Sequence, residues 1–347
     1  MSASNSVIDR LINKAATKRA SDLHISSGTQ ASLRINGELS EVDSQVISER
    51  QIQSWLEEIL DPDSLAELED QGDIDFAHTV EDRVRIRVSA FLQQGRTSLS
   101  MRILQNEIPT MDDLLIPDVM RSWTTKQTGL VIITGPTGSG KTTTLASLVN
   151  EINLHRRSHI LSIEDPIELL YPHGASIVHQ REIGLDAPDF PRAVRAALRE
   201  DVDVLVLGEM RDSETISAAL AVAETGHLVF ASLHTPGAPH AIDRIIDAFA
   251  PNEQPLIRSR LASSLLGVVY QRLMPTVTGG RMAAFEILVG NNAIKNLIRE
   301  GKTHQVPSMM TTAMSEGMRT MSHEVKRLVS EGYISEDHAN VFMASNI

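Results

Sequence analysis

The chain of 347 residues has no cysteine. That excludes a disulfide framework, a thiol nucleophile and any thiolate-held metal. Aromatic residues are only 3% of the total, too few for stacking platforms along a single-stranded nucleic acid. Long apolar runs are missing as well. The most apolar stretches, residues 130–134 and 202–207, have the length of strands, far below the ~18–20 residues of a helical membrane span. The first 17 residues alternate polar and apolar side chains and lack the hydrophobic centre of a signal peptide. Positive charge is the minority: 32 Lys+Arg stand against 45 Asp+Glu, a formal net charge of −13. Such a surface repels phosphate backbones as a whole, so nucleic acid is not an expected partner. What remains, 41% hydrophobic and 22% charged residues, is the composition of a soluble globular protein. The length suits roughly two domains of ~100–200 residues. A cytoplasmic location fits these features.

Two patterns divide the chain. Residues 6–17 read as an amphipathic helix with Val7, Leu11, Ile12 and Ala15 on one face. Residues 23–26 and 32–35 read as short strands, with a turn at Asn36-Gly37. A helix over 49–59 closes at Asp61-Pro62, and half-buried strands follow at 84–91 and 99–103. Together these predict an α+β domain with an antiparallel sheet over residues 1–105. Residues 41–82 hold fourteen acidic side chains and one basic one, Arg50; a solvated face is the plain reading, a docking surface for a basic partner the other. The proline-bounded segment 106–117 reads as a linker. From 118 to 347 the pattern changes to apolar strands (130–134, 159–163, 202–207, 228–233) alternating with helices (142–154, 191–198, 213–224). That is an α/β domain with a parallel sheet covered on both faces. Beyond residue 252 the chain reads as helical except near 282–287.

Gly135-Pro136-Thr137-Gly138-Ser139-Gly140-Lys141-Thr142 fits G-x-x-x-x-G-K-[ST], after an apolar strand and at the start of a helix. Glycines let backbone N–H groups wrap phosphates, and the helix N-terminus favours negative charge. Lys141 is placed to reach the β/γ-phosphates and Thr142 to ligate Mg²⁺, with Thr143 as the last residue of the nucleotide-binding stretch. Residues 204–207 run into Gly208-Glu209-Met210-Arg211-Asp212. An acid ending such a strand acts on Mg²⁺ in P-loop enzymes; Glu209 is that candidate, and Asp212 suits the start of the next helix. Strand 159–163 runs into Glu164-Asp165-Pro166. Hydrolysis needs a base for the attacking water; Glu164 ends the strand directly, whereas Asp165 precedes a proline and can serve the turn alone. His234 follows strand 228–233 at the same edge and is either a γ-phosphate sensor or structural; His227, at the other end, reads as structural. Arg83, Arg85, Arg87, Arg96 and Arg102 read as a basic strand face paired with the acidic stretch, with arginine fingers acting in trans as the other reading. No N-K-x-D motif follows the P-loop, which speaks against a GTPase. No acceptor pocket or lid suggests a small-molecule kinase, and the retained Glu164 and Glu209 speak against a non-catalytic scaffold.

Taken in order, these motifs resemble those of the PilT-type type IV pilus retraction ATPases within the secretion ATPase superfamily. The resemblance begins at Ala20-Ser21-Asp22-Leu23-His24, passes through Gly72-Asp73-Ile74-Asp75-Phe76 and the boxes above, and includes Arg195 to Asp201, Thr225-Gly226-His227 and Ser232-Leu233-His234-Thr235. It ends with Ala293-Ile294-Lys295-Asn296-Leu297-Ile298-Arg299-Glu300-Gly301-Lys302 and Gly317-Met318-Arg319-Thr320-Met321. It implies a PAS-like N-terminal domain, a RecA-like ATPase domain with C-terminal helices, and a homohexameric ring. It implies Glu164 as catalytic carboxylate, Glu209 near Mg²⁺, His234 near the γ-phosphate, and arginine fingers at Arg87 and Arg102 with Arg85 in reserve. The implied partner is an inner-membrane pilus platform protein, with the ring at the inner face of the cytoplasmic membrane. The chain departs from the family pattern at Lys295, usually Arg, at Val202, usually Pro, and at Pro236-Gly237-Ala238-Pro239. It lacks the four-cysteine module of the assembly ATPases, which implies the retraction side; an accessory or specialised pilus or secretion ATPase of the same superfamily is the other reading.

Overall fold

The computed structural model describes residues 6–35, 37–81, 84–104 and 108–344. Asn36, Asp82, Arg83 and residues 105–107, on which parts of the sequence reading rest, lie outside them. The chain divides into two compact units: residues 1–107 together with 168–170, and residues 108–167 together with 171–347.

In the first unit, α1 (Val7–Thr17) starts at Ser6, whose hydroxyl accepts the Asp9 N–H at 3.0 Å. Its buried face is Ile8, Leu11, Ile12 and Ala15, with Val7 only partly covered. Then come β1 (Asp22–Ser26), β2 (Thr29–Ile35), β3 (Glu38–Ile47), α2 (Glu49–Ile59), α3 (Pro62–Gln71), β4 (Asp73–Val80), β5 (Val84–Gln93) and β6 (Arg96–Ile103). The sheet order is β3-β2-β1-β6-β5-β4, and every pairing is antiparallel. Alternation decides its faces. Leu23, Ile25, Leu33, Ile86, Val88 and Met101 join α1 and α2 in one core, centred on the fully buried Trp55. Asp61 does more than close α2: its carboxylate accepts the N–H groups of Asp63 and Ser64 and starts α3, with Pro62 in the first turn. The strand β4 was hidden in the sequence by its acidic residues, which suit a sheet edge.

The second unit contains α4 (Asp118–Thr124), β7 (Gly129–Thr134), α5 (Lys141–His155), β8 (His159–Glu164), β9 (Ile177–Glu182), α6 (Phe190–Ala197), β10 (Val204–Leu207), α7 (Ser213–Glu224), β11 (Leu228–Leu233), α8 (Ala238–Asp247), α9 (Gln254–Ser264), β12 (Leu265–Pro275), β13 (Arg281–Val289), α10 (Asn292–Arg299), α11 (Val306–Thr312), α12 (Met321–Ser330) and α13 (Glu336–Ala344). The sheet order is β13-β12-β7-β11-β10-β8-β9. All neighbours are parallel except β12 and β13. Successive residues of the central strands enter opposite cores: Leu130, Ile132, Leu161 and Leu205 pack with α6 to α9, and Val131, Ile133, Ile160 and Val206 pack with α4 and α5. The strands are apolar throughout because both faces are covered.

Two expectations are corrected here. The stretch beyond residue 252 is not helical apart from 282–287: β12 is eleven residues long, and β13 spans Arg281–Val289. Leu, Gln, Arg and Met in β12 are good helix formers and mask the strand preference of Val268, Val269 and Tyr270; pairing with β7 decides the outcome. The segment read as a linker also carries core side chains from Ile108 onward, since Met111 and Ile116 are buried beside Met120 and Trp123.

Candidate nucleotide site

Parallel strands deliver their carboxyl ends to one edge. Here β7 ends at Thr134, β11 at Leu233, β10 at Leu207 and β8 at Glu164, and these four are consecutive neighbours in the sheet. The P-loop therefore stands beside the His234 turn, which stands beside the Glu209 turn, which stands beside Glu164.

Gly135 to Gly140 connect β7 to α5, whose N-terminus no side chain caps. Its first N–H groups are thus available to phosphate oxygens. Gly135 (φ +150°) and Gly140 (φ +85°) are fixed by a neighbour: a Cβ at Gly135 would lie 2.4 Å from the Gln271 carbonyl oxygen, and one at Gly140 2.9 Å from Gln271 Nε2. Gln271 is 1% exposed and donates from Nε2 to the Ser139 carbonyl at 2.8 Å. Its Oε1 and the Ser139 hydroxyl are buried without a hydrogen-bond partner. Gln271 escaped the sequence reading because it lies on β12. The Lys141 ammonium donates to the Gly135 and Pro136 carbonyls at 2.9 and 3.1 Å and lies 3.4 Å from His234 Nδ1. Thr142 is the next residue of α5, half-buried, and Thr143 follows it.

Glu209 leaves the end of β10 with both oxygens engaged. Oε1 lies 3.5 Å from His234 Nε2, and Oε2 accepts from Arg211 Nε at 2.9 Å. This bond holds the Arg211 guanidinium above its ordinary pKa, with Glu209 charge adding to it. Arg211 is a second residue the sequence reading passed over. Glu164 Oε1 accepts from Ser162 Oγ at 2.7 Å and from Gln180 Nε2 at 3.1 Å. Gln180 lies on β9, a strand whose four consecutive polar residues, His179 to Glu182, disguised it. Burial, and then the Glu164 charge, push the Tyr171 phenol well above its ordinary pKa. Asp165 and Pro166 form the turn after Glu164 through a cis peptide bond.

Asp212 caps α7 by accepting the Thr215 N–H at 2.8 Å. His227 Nδ1 lies 3.0 Å from the Val222 carbonyl, at the far end of β11. Arg87 and Arg102 belong to the first unit, where they are cross-strand partners on the open face of the sheet. Arg87 Nη2 lies 3.8 Å from Asp75, and Arg102 Nε donates to Asp22 at 3.3 Å. Arg85 donates to Thr79 Oγ1 at 3.3 Å. Among the described residues no group of three or more imidazole or carboxylate side chains is set to hold a metal, and no helix is long and apolar enough to cross a membrane.

A parallel sheet with a P-loop after a central strand, and carboxylates on the neighbouring strand ends, defines a RecA-like P-loop ATPase fold. Residues 2–341 match the model of the Type II/IV secretion system protein family, and the chain belongs to that family. It is 40% identical over 332 residues to the type IV pilus retraction ATPase PilT of Pseudomonas aeruginosa, covering 96% of each chain. It is 42% identical over 325 residues to the uncharacterized protein YggR of Escherichia coli, covering 94% of this chain and 99% of that one. It superimposes with a TM-score of 0.88 on the crystal structure of the pilus retraction motor PilT with bound ADP, at 41% identity, over 96% of this chain and 95% of that one. Within the family it is of the PilT type, as its ordered motifs imply.

Proposed function

We propose that this ATPase works as a homohexameric ring that powers retraction of a type IV pilus, from the inner face of the cytoplasmic membrane and through a membrane platform protein. The observation that carries the reading is the sheet edge: Lys141, His234, Glu209 and Glu164 follow four consecutive parallel strands in a chain that matches PilT over nearly its whole length. The domain reading goes with it: a PAS-like part over 1–105, then the ATPase part from 118 to 347.

In this reading Gly135 to Thr143 wrap the phosphates of ATP, and Lys141 moves its charge onto the β/γ-phosphates. A threonine hydroxyl and one carboxylate are oxygen donors of the kind magnesium takes alongside nucleotide phosphates and water. Thr142 and Glu209 are the residues that would hold it; the ion supplies charge neutralisation at the phosphates. Glu164, oriented by Ser162 and Gln180, is the base that takes the proton of the attacking water. His234 stands between Lys141 and Glu209, where it reads the γ-phosphate. Arg87 and Arg102 act in trans on the site of a neighbouring subunit, supplying positive charge to the transition state.

Deletion of the gene, followed by imaging of pili and surface motility, tests the cellular role. Excess pili with lost motility is the expected phenotype. Normal piliation and motility in a strain that retracts pili without another such motor would overturn it.

A further inference from the structure

We infer that Glu286 is a positioning residue for His234, and that it anchors the His234 turn to the C-terminal helices. Glu286 lies on β13 in one register row with Tyr270 of β12 and Thr134, the last residue of β7. Its two carboxylate oxygens serve two different helix starts. Oε1 accepts the Ala238 N–H at 2.8 Å, at the first residue of α8, and Oε2 accepts the Met321 N–H at 3.1 Å, at the first residue of α12. A carboxylate is the favoured partner of a helix N-terminus, because it meets unpaired N–H donors and the positive end of the dipole together. The start of α8 has no capping side chain of its own, so Glu286 takes that place from across the sheet.

The consequence falls on the turn 234–238. At its near end the Thr235 N–H donates to Thr134 Oγ1 at 2.9 Å, and Thr235 Oγ1 donates to the Gly237 carbonyl at 3.0 Å. At its far end Ala238 is held by Glu286. His234 thus projects from a turn fixed at both ends, one tied to the strand that leads into the P-loop and the other to a carboxylate. The same carboxylate is steadied by α12, which is itself tied to β13: Ile287 and Arg319 exchange backbone hydrogen bonds at 2.7 and 2.9 Å, and Arg319 and Arg327 both bind the fully buried Glu324. The C-terminal helices act as a strut for the turn that faces the nucleotide.

The inference rests on the reading of His234 as a γ-phosphate contact, and a double-mutant cycle separates the two. Glu286→Gln keeps the side-chain size but turns an N–H donor toward one of the two helix starts. Steady-state ATP hydrolysis and ADP affinity are measured on the full chain for the wild type, Glu286→Gln, His234→Ala and the double variant, per folded protein. Glu286→Gln is expected to lower kcat about tenfold with ADP affinity within twofold, and to change kcat less than twofold in the His234→Ala background. An unchanged kcat for Glu286→Gln, or an equal tenfold loss with His234 absent, would overturn the inference and leave Glu286 a cap for helix stability. A His234→Ala variant with wild-type kcat would instead overturn the reading of His234. Glu286→Asp, which keeps the charge and withdraws it by one methylene, provides the same cycle if the amide variant does not fold.

Discussion

The imidazole Nε2 of His234 lies 3.5 Å from Oε1 of Glu209, each at the end of a neighbouring parallel strand. Through its other ring nitrogen, His234 also lies 3.4 Å from the Lys141 ammonium. One side chain therefore lies against both the P-loop lysine and the carboxylate at the end of β10. That contact makes the strand edge a single site rather than three separate loops.

Lys141→Ala removes the charge assigned to the β/γ-phosphates. Losing a preorganised electrostatic contact of this kind costs on the order of 10²–10³ in turnover. The fold should persist, because Lys141 lies in a loop-to-helix turn and not in either apolar core. Turnover near the wild-type rate, with unchanged circular dichroism, would contradict the phosphate assignment.

Gln271→Met keeps the volume under the P-loop and removes the donor to the Ser139 carbonyl. A buried acceptor left without its partner costs roughly 1–3 kcal/mol. If half of that falls on the phosphate-binding form, ADP affinity drops roughly two- to twelvefold, at ~1.4 kcal/mol per decade. Calorimetric titration of ADP checks this. Equal affinities for the two proteins would make Gln271 a packing residue.

Much of this was legible from the chain. The P-loop, Glu209, Glu164 and His234 all follow continuous apolar strands, and a fully buried parallel strand announces itself by composition. Gln271 and Gln180 were hidden, because β12 and β9 carry polar and helix-favouring residues whose strand state comes from pairing with β13 and β7 in one case and with β8 at the sheet edge in the other. Glu286 was hidden for another reason. Its partners are backbone N–H groups of two helices distant in sequence, and no side-chain pattern encodes such contacts. Asp61 was half read: aspartate-proline ends one helix and starts the next with the same side chain.

Arg87 and Arg102 pair with Asp75 and Asp22 on an exposed sheet face, where such ion pairs contribute little to stability. As fingers in trans they would be worth ~10³–10⁵ in rate. An Arg102→Ala chain mixed with a Lys141→Ala chain should then recover activity, since one supplies an intact P-loop and the other an intact arginine. Specific activity should also rise with protein concentration as rings form. No recovery in the mixture, with flat activity on dilution, would return both arginines to a structural role.

His78 on β4 meets the Trp55 ring edge-on at 5.8 Å, and burial lowers its pKa below the ordinary value, against an opposing pull from Asp9. The folded state thus favours the neutral ring, while the unfolded chain takes up its proton near pH ~6.5. Stability from this group is present above that pH and is lost as pH falls below it toward the folded pKa. The fall in melting temperature between pH 7.5 and 5.5 should be smaller for His78→Gln than for the wild type. An identical fall in both proteins would show that His78 does not contribute.

Hydrolysis at the sheet edge, with Glu164 as base and Glu209 at the metal, makes a kinetic prediction for each carboxylate. Single-turnover phosphate release, measured with ATP in hand-set Mg²⁺ concentrations, tests it directly. Glu164→Gln should bind ATP as tightly as the wild type and release phosphate ~10²–10⁴-fold more slowly, the usual worth of general-base catalysis. Glu209→Gln should be slowed as well, with its half-saturating Mg²⁺ shifted upward. Wild-type phosphate release from Glu164→Gln at every Mg²⁺ concentration would contradict the account, because the base would then have to lie elsewhere.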